Sequence, residues 1–188
     1  MRADENQDSG GHAARTEVLI DKIALTRQSD NSNAEAKKAW VELRDIGPES
    51  FPKVVEHLQD KRTSFTADSG STDETWTVGR ACFDVLRCNL EPYNVGMYSS
   101  CFAARANHWR PQYCKVFLKT PKKANTWLAA HQNKSLVDLQ IEVLEWVTSD
   151  HPEEQRKVSP EDRRELLDKL DELKRTRKPL RAAVPWAM

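Results

Sequence analysis

With 188 residues, the chain is long enough to bury a real core, and one domain is the default at this length. Lys and Arg number 29, Asp and Glu also 29, so the formal net charge is zero. Bulk charge therefore singles out neither a nucleic-acid binder nor a partner for a strongly anionic surface.

The first residues, MRADENQDSG, hold Asp4, Glu5 and Asp8 where a secretory signal would have a basic start and an apolar run. Residues 1–13 are polar and aperiodic, which predicts a disordered or loosely held arm. A first helix is expected from Ala14 to Arg27, with Val18, Leu19, Ile23 and Leu25 turned inward. A polar linker follows and ends in good N-cap residues, Ser32 or Asn33. The second helix carries Ala36, Ala39, Trp40, Leu43 and Ile46 on one face, at three- and four-residue steps. Gly47 suits a left-handed helix end, and Pro48 cannot continue a helix. A short third helix carries Phe51, Val54, Val55 and Leu58, with Pro52 tolerated in its first turn.

Lys61 to Thr72 is polar, contains Gly70 and reads as a loop. Ser71 and Glu74 have capping-box spacing, so a fourth helix is expected from Thr72 to Leu90. Trp76, Gly79, Cys82, Phe83, Leu86 and Leu90 form its apolar stripe, and a close crossing would explain Gly79. Residues 91–120 break the pattern: this insert is aromatic-rich and lacks a helical period, with a short extended piece expected at Tyr113–Leu118. Thr120 and Pro121 restart a helix bearing Ala124, Trp127, Leu128 and His131. Ser135 and Asp138 cap the next helix, whose Leu136, Leu139, Val143, Trp146 and Val147 face inward. Asp150 to Val158 is a charged linker. Ser159-Pro160-Glu161-Asp162 starts a last helix running to Lys174, with Leu166, Leu167, Leu170 and Leu173 in its apolar set. The tail 179–188 reads as irregular. The expected class is all-α, a single helical domain over 14–178, with no βαβ alternation that would indicate a parallel sheet.

The segment from Asn33 to Asp60 resembles a HEAT-type helical repeat. The residues that carry the resemblance are Ala39, Leu43, Ile46-Gly47-Pro48, Pro52, Val55, Leu58 and Asp60. Thr77-Val78-Gly79-Arg80-Ala81-Cys82 through Leu86 is similar to the first helix of a next unit, and Ser135–Val147 to that of a third. The resemblance implies a stack of antiparallel helix pairs that binds proteins and sometimes nucleic acid, and it carries over no catalytic residue.

The expected function is a non-enzymatic scaffold that binds another protein through an exposed helix face or the insert. Tyr98, His108, Trp109, Arg110 and Tyr113 are the partner-binding candidates, because Trp, Tyr and Arg dominate binding hot spots. The alternative is nucleic-acid binding through Lys174, Arg175, Arg177, Lys178 and Arg181, set against the ordinary role of cations at a helix C-terminus. A third reading is a small metalloprotein using Cys101, His108 and Cys114 with Cys82 or Cys88. The cysteine gaps match no CxxC pattern, so free thiols acting as small core hydrophobes are the simpler expectation. Paired carboxylates such as Glu153-Glu154 read as solvated surface, no Gly-rich phosphate loop is present, and the five histidines form no catalytic motif. No cofactor is expected. Trp127–Ala130, among the longest strictly apolar runs, is far short of the ~20 residues a membrane span needs. A cytoplasmic location is expected.

Overall fold

A computed structural model describes residues 8–24, 30–68, 73–91, 113–149 and 160–181. These residues form eight α-helices, one 3-10 helix and a two-stranded sheet. In chain order they are α1 (Asp8–Ile23), α2 (Asp30–Ile46), the 3-10 helix (Gly47–Ser50), α3 (Phe51–Glu56), β1 (Thr63–Asp68), β2 (Asp73–Thr77), α4 (Val78–Leu90), α5 (Tyr113–Phe117), α6 (Pro121–His131), α7 (Leu136–Thr148) and α8 (Pro160–Thr176). The protein is therefore mostly helical, with a hairpin where an all-α reading expected a loop and the start of the fourth helix.

α1 packs along α2. It buries Leu19, Ile20 and Ile23, whereas Val18 points outward at 53% exposure, contrary to its expected inward position. The helix also starts earlier than expected, since residues 8–13 already belong to it. Residues 1–7 and 25–29 lie outside the described residues. α2 buries Ala36, Ala39, Trp40 and Leu43, the face its spacing predicts. Neither Ser32 nor Asn33 caps it, because α2 begins at Asp30. Asn33 instead uses its side-chain oxygen to accept from the Thr66 amide at 2.8 Å, which ties β1 to α2.

The corner after α2 forms as its residues dictate. Gly47 has φ +80°, a conformation that costs glycine little. Pro48 occupies the first turn of the 3-10 helix, and Ser50 donates its hydroxyl proton to the Gly47 carbonyl at 2.7 Å. α3 then buries Phe51, Val54 and Val55.

The turn after α3 is held to α1 by charge. His57 lies with Nε2 3.1 Å from Glu17 and Nδ1 3.3 Å from Asp60. Arg62 donates to Asp60 at 2.9 Å and to Asp21 at 2.8 Å. The Arg62 guanidinium, helped by its own amide and by His57, lowers the Asp60 carboxyl from 3.8 to about 2 against the opposing effect of burial.

β1 and β2 pair antiparallel, with Thr66 opposite Thr75 and Asp68 opposite Asp73. Phe65 and Trp76 turn to the core, their ring centroids 5.3 Å apart. The hairpin moves the start of α4 from Thr72 to Val78. Its cap is Thr77, whose side chain accepts from the Arg80 amide at 3.2 Å, rather than Ser71.

α4 is the central helix and packs on α1, α2, α3, α5, α7 and both strands. Gly79 lets it approach the turn after α3. A Cβ there would meet the Leu58 carbonyl oxygen at 2.6 Å, and the Gly79 amide donates to the Asp60 carbonyl at 2.9 Å. The close crossing expected from Gly79 is thus a helix against a turn. Trp40 adds a buried link, its Nε1 donating to the Ala81 carbonyl at 3.1 Å.

Tyr113–Phe117 is helical, not extended. Thr120 and Ser135 cap α6 and α7 through the amides of Lys123 and Asp138, as expected. Leu139, Val143 and Val147 are buried on α7. α8 packs on α7 through buried Leu166, Leu170 and Leu173, while Leu167 is 42% exposed. Gln140 fastens the tail, accepting from the Leu180 amide at 2.8 Å and donating to the Leu180 and Asn89 carbonyls at 3.0 and 2.6 Å. No helix among the described residues is long and apolar enough to cross a membrane.

Candidate functional site

Eleven of the thirteen residues of α4 are buried. Arg80 is exposed and Phe83 half-buried, and both line the same cleft. That cleft encloses about 570 Å³ and is bounded by Leu58, Gly79, Arg80, Phe83, Asp84, Arg87, Lys115 and Lys119. Residues 80, 83, 84 and 87 share one face of α4 because they follow its three- and four-residue steps. Leu58 and Gly79 form the edge where the turn after α3 meets the helix. Lys115 on α5 and Lys119 in the turn beyond it are exposed and complete the rim.

Each wall is positioned by an identifiable contact. The Arg80 guanidinium lies 4.8 Å from the centroid of the Trp76 ring, a cation–π arrangement that anchors it at the start of α4. Arg87 forms an ion pair with Asp84 one turn earlier, and these side chains are only 7% and 9% exposed. Burial pushes the Asp84 carboxyl up while Arg87 opposes that shift. Glu91 directly follows α4 and is fully buried, and its Oε1 accepts from the Cys114 amide at 3.1 Å. One carboxylate thus joins the end of α4 to the first turn of α5 and sets where Lys115 and Lys119 project. Lys123 donates to the Val116 carbonyl at 3.1 Å and draws the start of α6 to the same corner.

The cleft combines four cations, one carboxylate that is already paired, and the apolar surfaces of Phe83 and Leu58. This arrangement favours an anionic group beside an apolar one. It offers no activated nucleophile. The nearby Cys88 thiol donates to Asp84 at 3.6 Å, and burial together with that carboxylate pushes it well above the usual thiol range.

Of the expected partner-binding residues, Tyr98, His108, Trp109 and Arg110 lie outside the described residues. Tyr113 is 3% exposed and is a packing residue, a correction to its expected place on a binding surface. Its hydroxyl accepts from Trp127 Nε1 at 2.7 Å and donates to Glu142 at 3.1 Å. Phe117 and Trp146 flank it at centroid distances of 4.5 and 5.5 Å. His131 stacks on Trp127 at 4.3 Å and places Nε2 2.7 Å from the same Glu142 oxygen. Burial disfavours the Glu142 charge, but Lys134, His131 and Tyr113 together hold its carboxyl below the usual range.

In the basic C-terminal set, Lys174 pairs with Glu145 at 2.8 Å and Arg177 with Asp138 at 2.6 Å, which ties two of the five cations to α7. Arg175, Lys178 and Arg181 are exposed. Cys82, Cys88 and Cys114 are free, buried thiols, and burial pushes Cys82 up to about 12. Cys101 lies outside the described residues, and no group of three or more His, Cys, Asp or Glu among the described residues is arranged to hold a metal ion.

None of the cleft residues was a candidate from sequence. One signal does point to two of them, Lys115 and Lys119. Between Glu91 and Asp138 the chain contains no acidic residue, yet it carries Arg105, Arg110, Lys115, Lys119, Lys122, Lys123 and Lys134. The zero net charge conceals this segregation. No protein-family model matches the chain, and no curated protein or solved structure is significantly similar to it.

Proposed function

We propose that this chain is a non-enzymatic helical scaffold that binds another protein through the cleft on α4. The observation that carries the reading is that α4, buried along nearly all its length, comes to the surface only at Arg80 and Phe83, and there meets the cations of the α5 corner. An arginine and an aromatic ring beside a desolvated wall are the side-chain types that concentrate binding energy. The antiparallel-stack reading, HEAT-like with the hairpin as a decoration, draws support from the packing of α1 on α2 and of α7 on α8, and from the Gly47-Pro48 corner.

The test is affinity capture from a lysate by the parent chain and by a variant carrying Arg80→Ser and Phe83→Ser, with circular dichroism confirming that the variant is folded. A protein recovered by the parent and lost by the variant is expected. Recovery of the same set by both chains would overturn the cleft as the binding surface.

A further inference from the structure

We infer that the segment entering this cleft is acidic, with an apolar side chain seated on Phe83 and Leu58 and carboxylates meeting Arg80, Lys115 and Lys119. The inference rests on the protein-binding reading above and specifies the chemistry of the partner.

Charge complementarity comes first. The cleft sets four cations against a single carboxylate in a chain whose net charge is zero. Asp84 does not offset the rim, because it is buried and paired with Arg87. Lys115 and Lys119 are exposed, and neither makes an ion pair with a described residue.

A second, independent observation is the placement of charge along the adjoining helices. None of α4, α5 and α6 has an acidic residue in its first turn. α4 begins instead with Arg80, and α6 with Lys122 and Lys123. Helix N-termini favour negative charge, so these cations oppose the dipoles beside them. An anionic partner in the cleft relieves that opposition at α4, whose Arg80 lines it.

The floor separates an acidic peptide from a nucleic acid. Phe83 and Leu58 give an apolar surface suited to a Leu or Phe side chain, and the cleft volume of about 570 Å³ accommodates a few side chains rather than an extended backbone. A nucleic acid would present phosphates at every residue and would use an open basic track, with aromatic rings free to stack on bases. Here the Trp76 ring is buried and its face is taken by Arg80.

The experiment uses the full chain and a fluorescein-labelled peptide of Glu and Asp repeats around a central Phe-Leu pair, followed by fluorescence anisotropy. The acidic peptide is expected to bind, and to weaken at least about tenfold in the Lys115→Glu, Lys119→Glu variant. Both substitutions are at exposed positions, so the fold is retained. The same variant is expected to gain binding to a Lys-rich peptide with the same Phe-Leu pair, a reversal that general loss of structure would not produce. Raising salt from about 50 to about 200 mM should weaken the parent complex, since exposed charges are screened over this range.

An oligothymidine of matched charge that binds more tightly than the peptide would overturn the inference in favour of nucleic acid. Equal binding of the acidic peptide by parent and variant would overturn it in favour of another surface. If lysate capture depends on Arg80 and Phe83 but survives high salt, and the acidic peptide fails to bind, the acidic chemistry is wrong while the protein-binding reading stands. If capture is independent of Arg80 and Phe83, the underlying reading fails as well.

Discussion

Replacing Gly79 with alanine inverts the usual effect of that substitution in a helix. Alanine is favoured over glycine by about 1 kcal/mol in a helix interior. At Gly79 the added Cβ would lie 2.6 Å from the Leu58 carbonyl oxygen, 2.9 Å from its carbon and 3.0 Å from the Asp60 carbonyl oxygen. All three atoms are backbone, so no flexible side chain can move aside. The start of α4 must retreat from the turn, which stretches the Gly79 amide bond to Asp60 and the Val78 amide bond to Arg62, both 2.9 Å. Overpacking costs about 1–3 kcal/mol, and each weakened backbone hydrogen bond about 1 kcal/mol. Against the gain in propensity, the net loss is about 2–4 kcal/mol. At about 2–4 °C per kcal/mol for a chain of this size, the melting temperature falls by roughly 4–16 °C. Thermal and urea unfolding followed by circular dichroism measure this directly. An unchanged or raised melting temperature would refute the close approach of α4 to the turn, and with it the geometry of the cleft edge.

Other predictions concern separate parts of the fold. Trp40→Phe removes the buried donor to the Ala81 carbonyl and leaves a small void, so urea unfolding should show a loss of about 1–3 kcal/mol. Gln140→Leu removes the partner of the Leu180 amide, and exchange of that amide should accelerate by about tenfold or more while capture through the cleft is unaffected. The Asp60 carboxyl is lowered from 3.8 to about 2, so the stability it contributes is present above the ordinary carboxylate value and lost as pH falls through about 2. Between pH 4 and pH 2, Asp60→Asn should therefore show a shallower loss of stability than the parent in acid-titrated unfolding.

Local features were the readable part of this fold. The Gly47-Pro48 corner and the caps at Thr120 and Ser135 depend on residues within a few positions of one another, so their chemistry is visible in the chain. The apolar faces of α2 and α3 follow from spacing alone. The hairpin was hidden because Trp76, Gly79, Cys82 and Phe83 continue a helical spacing across the boundary between β2 and α4. Its strands are also polar, with only Phe65 and Trp76 as large inward groups.

The cleft was less legible because it is assembled from distant parts. Glu91 holds Cys114, a contact across 23 positions that helps bring α5, with Lys115, to the same cleft as Arg80. Composition averages over the chain and so concealed the acid-free stretch before Asp138. Tyr113 is hard to place from sequence because an aromatic in an aperiodic segment looks like a surface anchor, whereas the buried Trp127 and the half-buried Glu142 give its hydroxyl two partners.

If a partner protein meets α4 at the cleft, a photo-crosslinking residue placed at Phe83 lies within reach of it. The control places the same residue at Arg164, on the exposed face of α8. Illumination in a lysate should give a discrete protein adduct from position 83 and none from position 164, and the adduct should diminish when Lys115 and Lys119 are reversed to glutamate. Adducts of equal yield from both positions, or none from position 83, would mean that no partner is held at the cleft.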